Sequence, residues 1–287
     1  MALNKTIILS DSICDLGDEI LNKYSIDLNP LTVSKGEDSF LDGKEITPDD
    51  IYEYYDKTGE LCKTSAVNVQ SSIDFLAAHQ KPDTDIVYFL MSSDMSSTYQ
   101  NAVTAAAEFN NVYVVDTKNI STGSGLLVLH AAEMAENGKS GKEICDECTK
   151  LSQYVDASFV VDTLEYLKKG GRCSTIAALG ANILKLRPCI EVTDGKMAVN
   201  KKYRGKMSDV LVSYCKDRLS DLNDIVPDHI FITHSGCDEE TIKKVEDTVK
   251  ETEYFKNIHI TRAGCTVSTH CGPGTLGVLF IRKTPVK

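Results

Sequence analysis

Residues 86–109 read "IVYFLMSSDMSSTYQNAVTAAAEF", and the periodicity changes in the middle of that stretch. Ile86 to Met91 form a short apolar, β-branched run, as a strand covered on both faces requires. Ser92 to Thr98 then form a serine-rich turn, and the tail from Tyr99 onward is helix-like. The same strand-to-helix alternation extends outward in both directions. "TIILS" (6–10) and "VYVVD" (112–116) are further strands. "TPDDIYEYYDK" (47–57) and "NVQSSIDFLAAHQ" (68–80) are helices, the first with Thr47 as N-cap, Pro48 in the first helical position and Asp50 completing an imperfect capping box. Two more helices, "STGSGLLVLHAAEMAENG" (121–138) and "GKEICDECTKLSQYV" (141–155), close the first half.

Near residue 157 a new strand, "SFVVDT", opens the second half, followed by the short helix "LEYLKKGG". Asp194 and Gly195 in "CIEVTDGKMAVN" lie between alternating arms and predict a type I′ hairpin. Strands "HIFITHS" and "LGVLFIRK" flank the helix "DEETIKKVEDTVKE". The expected fold is therefore α/β in two domains, 1–156 with a mainly parallel sheet and 157–287 with a mixed sheet flanked by helices. Any ligand is expected in the cleft between them, where the carboxyl ends of strands open a crevice.

Composition narrows the function. The 287 residues are 42% hydrophobic and 25% charged, which is globular. A net charge of -11 argues against nucleic acid or an anionic membrane as a partner, since phosphate contacts need clustered Lys and Arg. "MALNKTIILSDS" reads as a first buried strand and not a signal sequence, and no apolar run approaches the roughly 18 residues that span a bilayer. A cytoplasmic location is expected. The ten cysteines are scattered, and Cys145 and Cys148 lie on a charged helical stretch without a second pair at zinc spacing, so reduced structural thiols are expected, with no metal and no cofactor.

The hydroxyl-rich turn admits three readings: nucleophile, phosphate cradle, or seat for another anion. Ser92, Ser93, Ser96 and Ser97 lack the flanking glycines of a nucleophile elbow. "NGKS" at 137–140 has Glu133 where a P-loop needs its first glycine. "GPGTLG" (272–277) satisfies G-x-G-x-x-G but precedes a strand, so its glycines are read as letting backbone pass close to a ligand or loop. What remains is a neutral cradle for a carboxylate or phosphate, assembled from "KTSAVN" (63–68) entering a helix, "MSST" (95–98) and "THCGPG" (269–274), all expected at turns on one side of the fold. Taken singly, each of these residues also reads as a helix cap. Asp11 and Asp116 are expected to organise the cleft as interior caps.

"SDSICDL", "KTSAVN", "SSDMSSTYQNA", "VVDTKNISTGSG", "LEYLKKGGR", "LRPCIEVTDGK" and "THCGPGTLG" occur in the order and spacing of the DegV family, which the chain resembles over nearly its whole length. That family includes the fatty acid binding subunits of bacterial fatty acid kinase. The resemblance implies a carrier for one long-chain fatty acid, with the tail in an apolar tunnel and the carboxylate at the cleft. It also implies a partner, the ATP-binding subunit of the kinase, that phosphorylates the carboxylate. Carried over by position, the ligand residues are Thr64, Ser65, Ser96, Ser97, His270 and Gly272, and the docking residues are Arg172 with Lys168 and Lys169. Ser97 stands where the family usually has glycine, and Ala66 and Val67 replace its polar-Pro pair. An enzyme acting on a small anionic or acyl substrate through serine or histidine chemistry is the alternative; a serine cluster without a catalytic motif favours the carrier.

Overall fold

A computed structural model of the chain describes residues 5–173 and 186–286. Strands β1 (Lys5–Asp11), β2 (Asp27–Asn29), β6 (Thr84–Leu90) and β7 (Val112–Asp116) form a parallel sheet in the order β2-β1-β6-β7. Every residue of β6 is buried, as its unbroken apolar run requires. Ile86, Tyr88 and Leu90 face helices α3 (Val69–His79) and α4 (Thr98–Ala106), packing with Leu76, Ala102 and Ala105. Val87 and Phe89 point the other way, into the cluster built on α5 (Thr122–Glu136) and α6 (Gly141–Leu151).

The second sheet is mixed and six-stranded, in the order β10-β9-β8-β13-β11-β12. It comprises β8 (Val155–Val160), β9 (Arg187–Thr193), β10 (Lys196–Tyr203), β11 (Ile225–His234), β12 (Asn257–Arg262) and β13 (Leu276–Arg282). All its neighbours are antiparallel except β11 and β12. Period-two alternation sorts its side chains. Val160, Ile230, Ile232, Val278 and Phe280 pack beneath α8 (Met207–Arg218) and α9 (Glu239–Lys250). Ala157, Phe159, Val192, Phe231 and Leu279 face the opposite way and join the cluster around α5. The hairpin between β9 and β10 turns through Asp194 and Gly195 at φ +47° and +77°, the type I′ geometry their sequence predicts.

Helix α5 is buried at every residue from Thr122 to Leu129. A helix apolar all round must be covered all round, and α5 packs on β1 and β6 on one side and on β8, β11 and β13 on the other. The largest core cluster is thus shared between the two sheets.

A third, antiparallel sheet was not foreseen: β3 (Thr32–Lys35), β4 (Asp38–Leu41) and β5 (Lys63–Ser65), in the order β4-β3-β5. Val33, Ile51, Cys62 and Cys265 join it to α2 (Pro48–Thr58) and α10 (Cys265–Cys271). Short helices α1 (Asp18–Tyr24) and α7 (Glu165–Gly170) complete the described elements. Two local expectations are corrected here. Lys63 to Ser65 form an edge strand, Thr64 pairing with Val33, and the next helix starts only after its Asn68 cap. Ser268 to Cys271 are not a turn but the end of α10, closed by Gly272.

Gly125 tests how closely α5 must approach the first sheet's loop. A Cβ at Gly125 would lie 2.5 Å from the Cys14 carbonyl oxygen and 2.9 Å from Leu16 Cδ2. In a free helix Gly→Ala stabilises by about 1 kcal/mol. Here backbone blocks the methyl, so Gly125→Ala should instead destabilise by about 1–3 kcal/mol, read as a lower urea midpoint.

Candidate functional site

Three segments distant in sequence converge on one pocket. Edge strand β5 contributes Thr64 and Ser65, the turn before α4 contributes Ser96, and α10 contributes Thr266 and His270. Arg172 stands at its rim, exposed, donating to the Gly170 carbonyl at 2.7 Å. Leu31, Met91, Met95, Ile120 and Met197 supply apolar walls. The Ser96 hydroxyl also accepts from the amide of Thr98, the first residue of α4, at 3.2 Å, so lining the pocket and satisfying a helix-end amide are compatible at this residue.

The remaining sequence-derived residues lie elsewhere. Ser97 is exposed and outside the lining. Gly272 sits behind it: at φ +75° it closes α10, a Cβ there would come within 2.6 Å of the Tyr166 ring, and its carbonyl accepts from Ser235. Lys168 is exposed on α7. Lys169 pairs with Glu165 at 2.9 Å and lies over the Tyr55 ring. Sequence reasoning missed Thr266 and the apolar walls. Thr266 precedes His270 by one helical turn, a spacing visible only once 265–271 is read as helix.

At the centre of the pocket, Thr64 Oγ1 lies 2.8 Å from His270 Nε2. Burial, reinforced by the Arg172 charge, pushes the His270 imidazole down to about 4, so the ring is neutral near neutral pH. Its Nδ1 is buried with no hydrogen-bond partner among the described residues and rests on Gly170, where a Cβ would come within 2.4 Å. A buried orphan N–H is rarer than an orphan acceptor, so the single proton is assigned to Nε2, donating to Thr64. The Thr64 hydroxyl hydrogen is then free for a ligand. This differs from a catalytic pair, in which the base titrates near working pH and a third group orients its other nitrogen.

Carboxylates hold the frame. Asp42 accepts from the Cys265 and Thr266 amides at 2.9 and 3.1 Å and from the Ser12 hydroxyl at 3.2 Å. Asp15 accepts from the Gly264 amide at 2.8 Å and from the Ser121 hydroxyl at 2.5 Å. Helix α10 is thereby pinned at its start by residues from the first half of the chain. Asp11 receives the Met91 and Ile13 amides, and Asp116 those of Ser93 and Lys118, the capping expected of both. Burial pushes Asp11 up to about 7 and Asp15 up to about 8.

Beyond this pocket, sharing Ile120 and Cys271 with it, lies a second space. Ala157, Phe159, Val192, Val267, Gly277 and Leu279 line it, and at Gly277 the β13 backbone lies so close to its neighbour that a Cβ would come within 2.7 Å of the Ser158 carbonyl oxygen. Ser121 at its edge has φ +56° and ψ -146°, a strained conformation held by the Asp15 bond. A pocket whose apolar walls carry the Thr64, Ser65, Ser96 and Thr266 hydroxyls thus adjoins a second, apolar one, an arrangement suited to a molecule with an anionic head and a hydrocarbon tail. No helix of the described residues is long and apolar enough to cross a membrane.

Comparison with known proteins agrees with the fold. The DegV family, described as "Uncharacterised protein, DegV family", matches residues 5–283. A DegV domain-containing protein of Clostridium acetobutylicum is 31% identical over 98% of this chain and 100% of its own. Among solved structures, a DegV family protein from Thermus thermophilus described by its fatty acid binding superposes with a TM-score of 0.89 at 25% identity, covering 97% of this chain and 99% of that one. A stearic acid-binding protein from Eubacterium ventriosum gives 0.81 at 27% identity, with 96% and 98% covered. A match running almost end to end, in sequence and in the arrangement of both sheets, makes this chain a member of the DegV family.

Proposed function

We propose that this protein is a cytoplasmic carrier of one long-chain fatty acid that presents the bound carboxylate to the ATP-binding subunit of a fatty acid kinase, without catalytic activity of its own. The observation that carries the reading is the apolar space continued by a pocket of hydroxyls. Each buried methylene contributes about 0.8 kcal/mol, so the tail supplies most of the affinity. Thr64, Ser65 and Ser96 orient the head, because a carboxylate leaving water must be hydrogen-bonded. The fatty acid binding described for the relatives from Thermus thermophilus and Eubacterium ventriosum supports the ligand class. We place the domain boundary at 156/157, with the ligand where 1–156 and 157–287 meet: β5 and the turn before α4 come from one side, α10 and the inner face of the second sheet from the other. Ser97 and Gly272 shape this site from outside its lining. Arg172, Lys168 and Lys169 form the cationic rim that the kinase meets, in a chain otherwise strongly acidic.

The Thr64–His270 contact is the one observation favouring a hydrolase. A ring held down to about 4, with no partner on Nδ1 among the described residues, is poorly suited to activate a hydroxyl and well suited to orient one.

Native mass spectrometry of the purified protein should show one copurified long-chain fatty acid; an empty protein that hydrolyses acyl esters would overturn the carrier. Replacing Ser96 with Ala removes a charge-assisted bond worth about 1.5–3 kcal/mol, so fatty acid affinity should fall about tenfold or more while a fatty alcohol of equal length loses less. Equal losses would reject the carboxylate seat. Arg172→Ala should weaken fatty acid binding by less than about fivefold, as for an exposed charge, yet sharply reduce acyl phosphate formation by the kinase. Collapse of binding would move Arg172 into the cradle, and normal phosphorylation would end its docking role.

His270 gives a pH signature. Its folded value is depressed from 6.5 to about 4, so between those values the unfolded chain takes up a proton that the folded one refuses. Its contribution is therefore complete above about 6.5 and is lost as pH falls toward 4. Asp11 and Asp15, raised by burial, act in the opposite direction. The His270 component is isolated by comparison with His270→Gln: the stability difference between wild type and variant should shift in the variant's favour on acidification from pH 6.5 to 4, and a difference independent of pH would refute a neutral buried ring.

A further inference from the structure

Three buried hydroxyls, those of Ser72, Ser208 and Thr266, have no hydrogen-bond partner among the described residues. Of these, only Thr266 lines either pocket described above. It is 4% exposed, at the second position of α10, and its amide is already taken by Asp42. Its neighbours show how such a hydroxyl is usually satisfied. Ser268 donates to the Ala263 carbonyl at 3.2 Å, Thr269 to the Cys265 carbonyl at 2.8 Å, and Thr275 to the Cys271 carbonyl at 3.0 Å. Thr266 is too near the start of α10 to bond back to a carbonyl within the helix. A valine would fill the same volume without burying an unpaired polar atom, so this hydroxyl imposes a cost that packing does not explain.

We propose that Thr266 is a specificity-determining ligand contact that selects fatty acids bearing a hydroxyl close to the carboxyl end. The inference rests on the fatty acid reading of the pocket. Thr266 and His270 are four residues apart on α10, so they share a face about 6 Å apart along the axis. Thr64, Thr266 and His270 line one pocket, so with the carboxylate on Thr64, which His270 orients, we set Thr266 a few C–C bonds of about 1.5 Å along the chain. A hydroxyl on the third carbon, two such bonds from the carboxyl carbon, is the group we assign to it. A plain acid places methylene there and leaves Thr266 unpaired; a 3-hydroxy acid places a donor and acceptor there and pairs it.

The test compares hexadecanoate with 3-hydroxyhexadecanoate by calorimetric titration on delipidated full-length protein, in wild type, Thr266→Val and Thr266→Ser. Wild type should bind the hydroxy acid about fivefold or more tightly, the range of one net hydrogen bond. Thr266→Val should erase the preference and melt no lower than wild type; Thr266→Ser should keep the preference. Equal binding of the two acids by wild type, or a preference that survives in Thr266→Val, overturns this inference alone. Failure of wild type to bind either acid overturns the fatty acid reading and this inference with it.

Discussion

Helix α5 has no face that water can wet from Thr122 to Leu129, and that constraint organises the molecule. A sheet on one side would leave half of it exposed, so both sheets are drawn onto it and share one cluster. The turn that starts the helix, Asn119 to Ser121, is thereby trapped between the sheets. Ile120 becomes a wall of both pockets, and Ser121 is held in a strained conformation by Asp15. The same carboxylate takes the Gly264 amide, which sets the start of α10 and so the position of His270. The cradle is a consequence of covering α5.

Electrostatics poses a second problem, because the chain is acidic and the proposed guest is an anion. The pocket meets it with neutral donors and one rim cation. The buried carboxyls nearby do not oppose this. Burial that pushes Asp11 and Asp15 up to about 7 and about 8 also keeps part of their negative charge out of the frame near neutral pH. His270 is held neutral for the same reason, so burial removes charge of both signs and leaves orientation to hydroxyl dipoles.

Much of this was legible in the sequence where one local rule sufficed. The continuous apolar runs of β1, β6 and β7, the Asp194–Gly195 turn and the Thr47 cap each follow from a few neighbouring residues. The third sheet did not, because Lys63 to Ser65 becomes a strand only by pairing with Val33, thirty residues away in the chain. Helix α10 was hidden for a related reason. "CTVSTHC" is rich in β-branched and hydroxyl residues of modest helix propensity, and its first amides are satisfied by Asp15 and Asp42, more than two hundred residues earlier. Thr64, Ser65, Ser96 and His270 were recognisable as a set only through the family motifs, since nothing local tells a cradle serine from a cap. Thr266 belongs to no such motif and emerges only from its unpaired hydroxyl.

The apolar space beside Phe159 and Leu279 also bears on how long the protein lasts. Side chains around a void forfeit contacts, and a core with a gap opens more often than a filled one. A guest that binds only the closed form raises the free energy of every opening that would release it, in proportion to the logarithm of its concentration. Proteases cut the opened form, so the lifetime of a chain built this way follows the supply of its guest. For the proposed carrier, empty copies would then be cleared first when the apolar molecule is scarce, and the amount of protein would follow the amount of cargo.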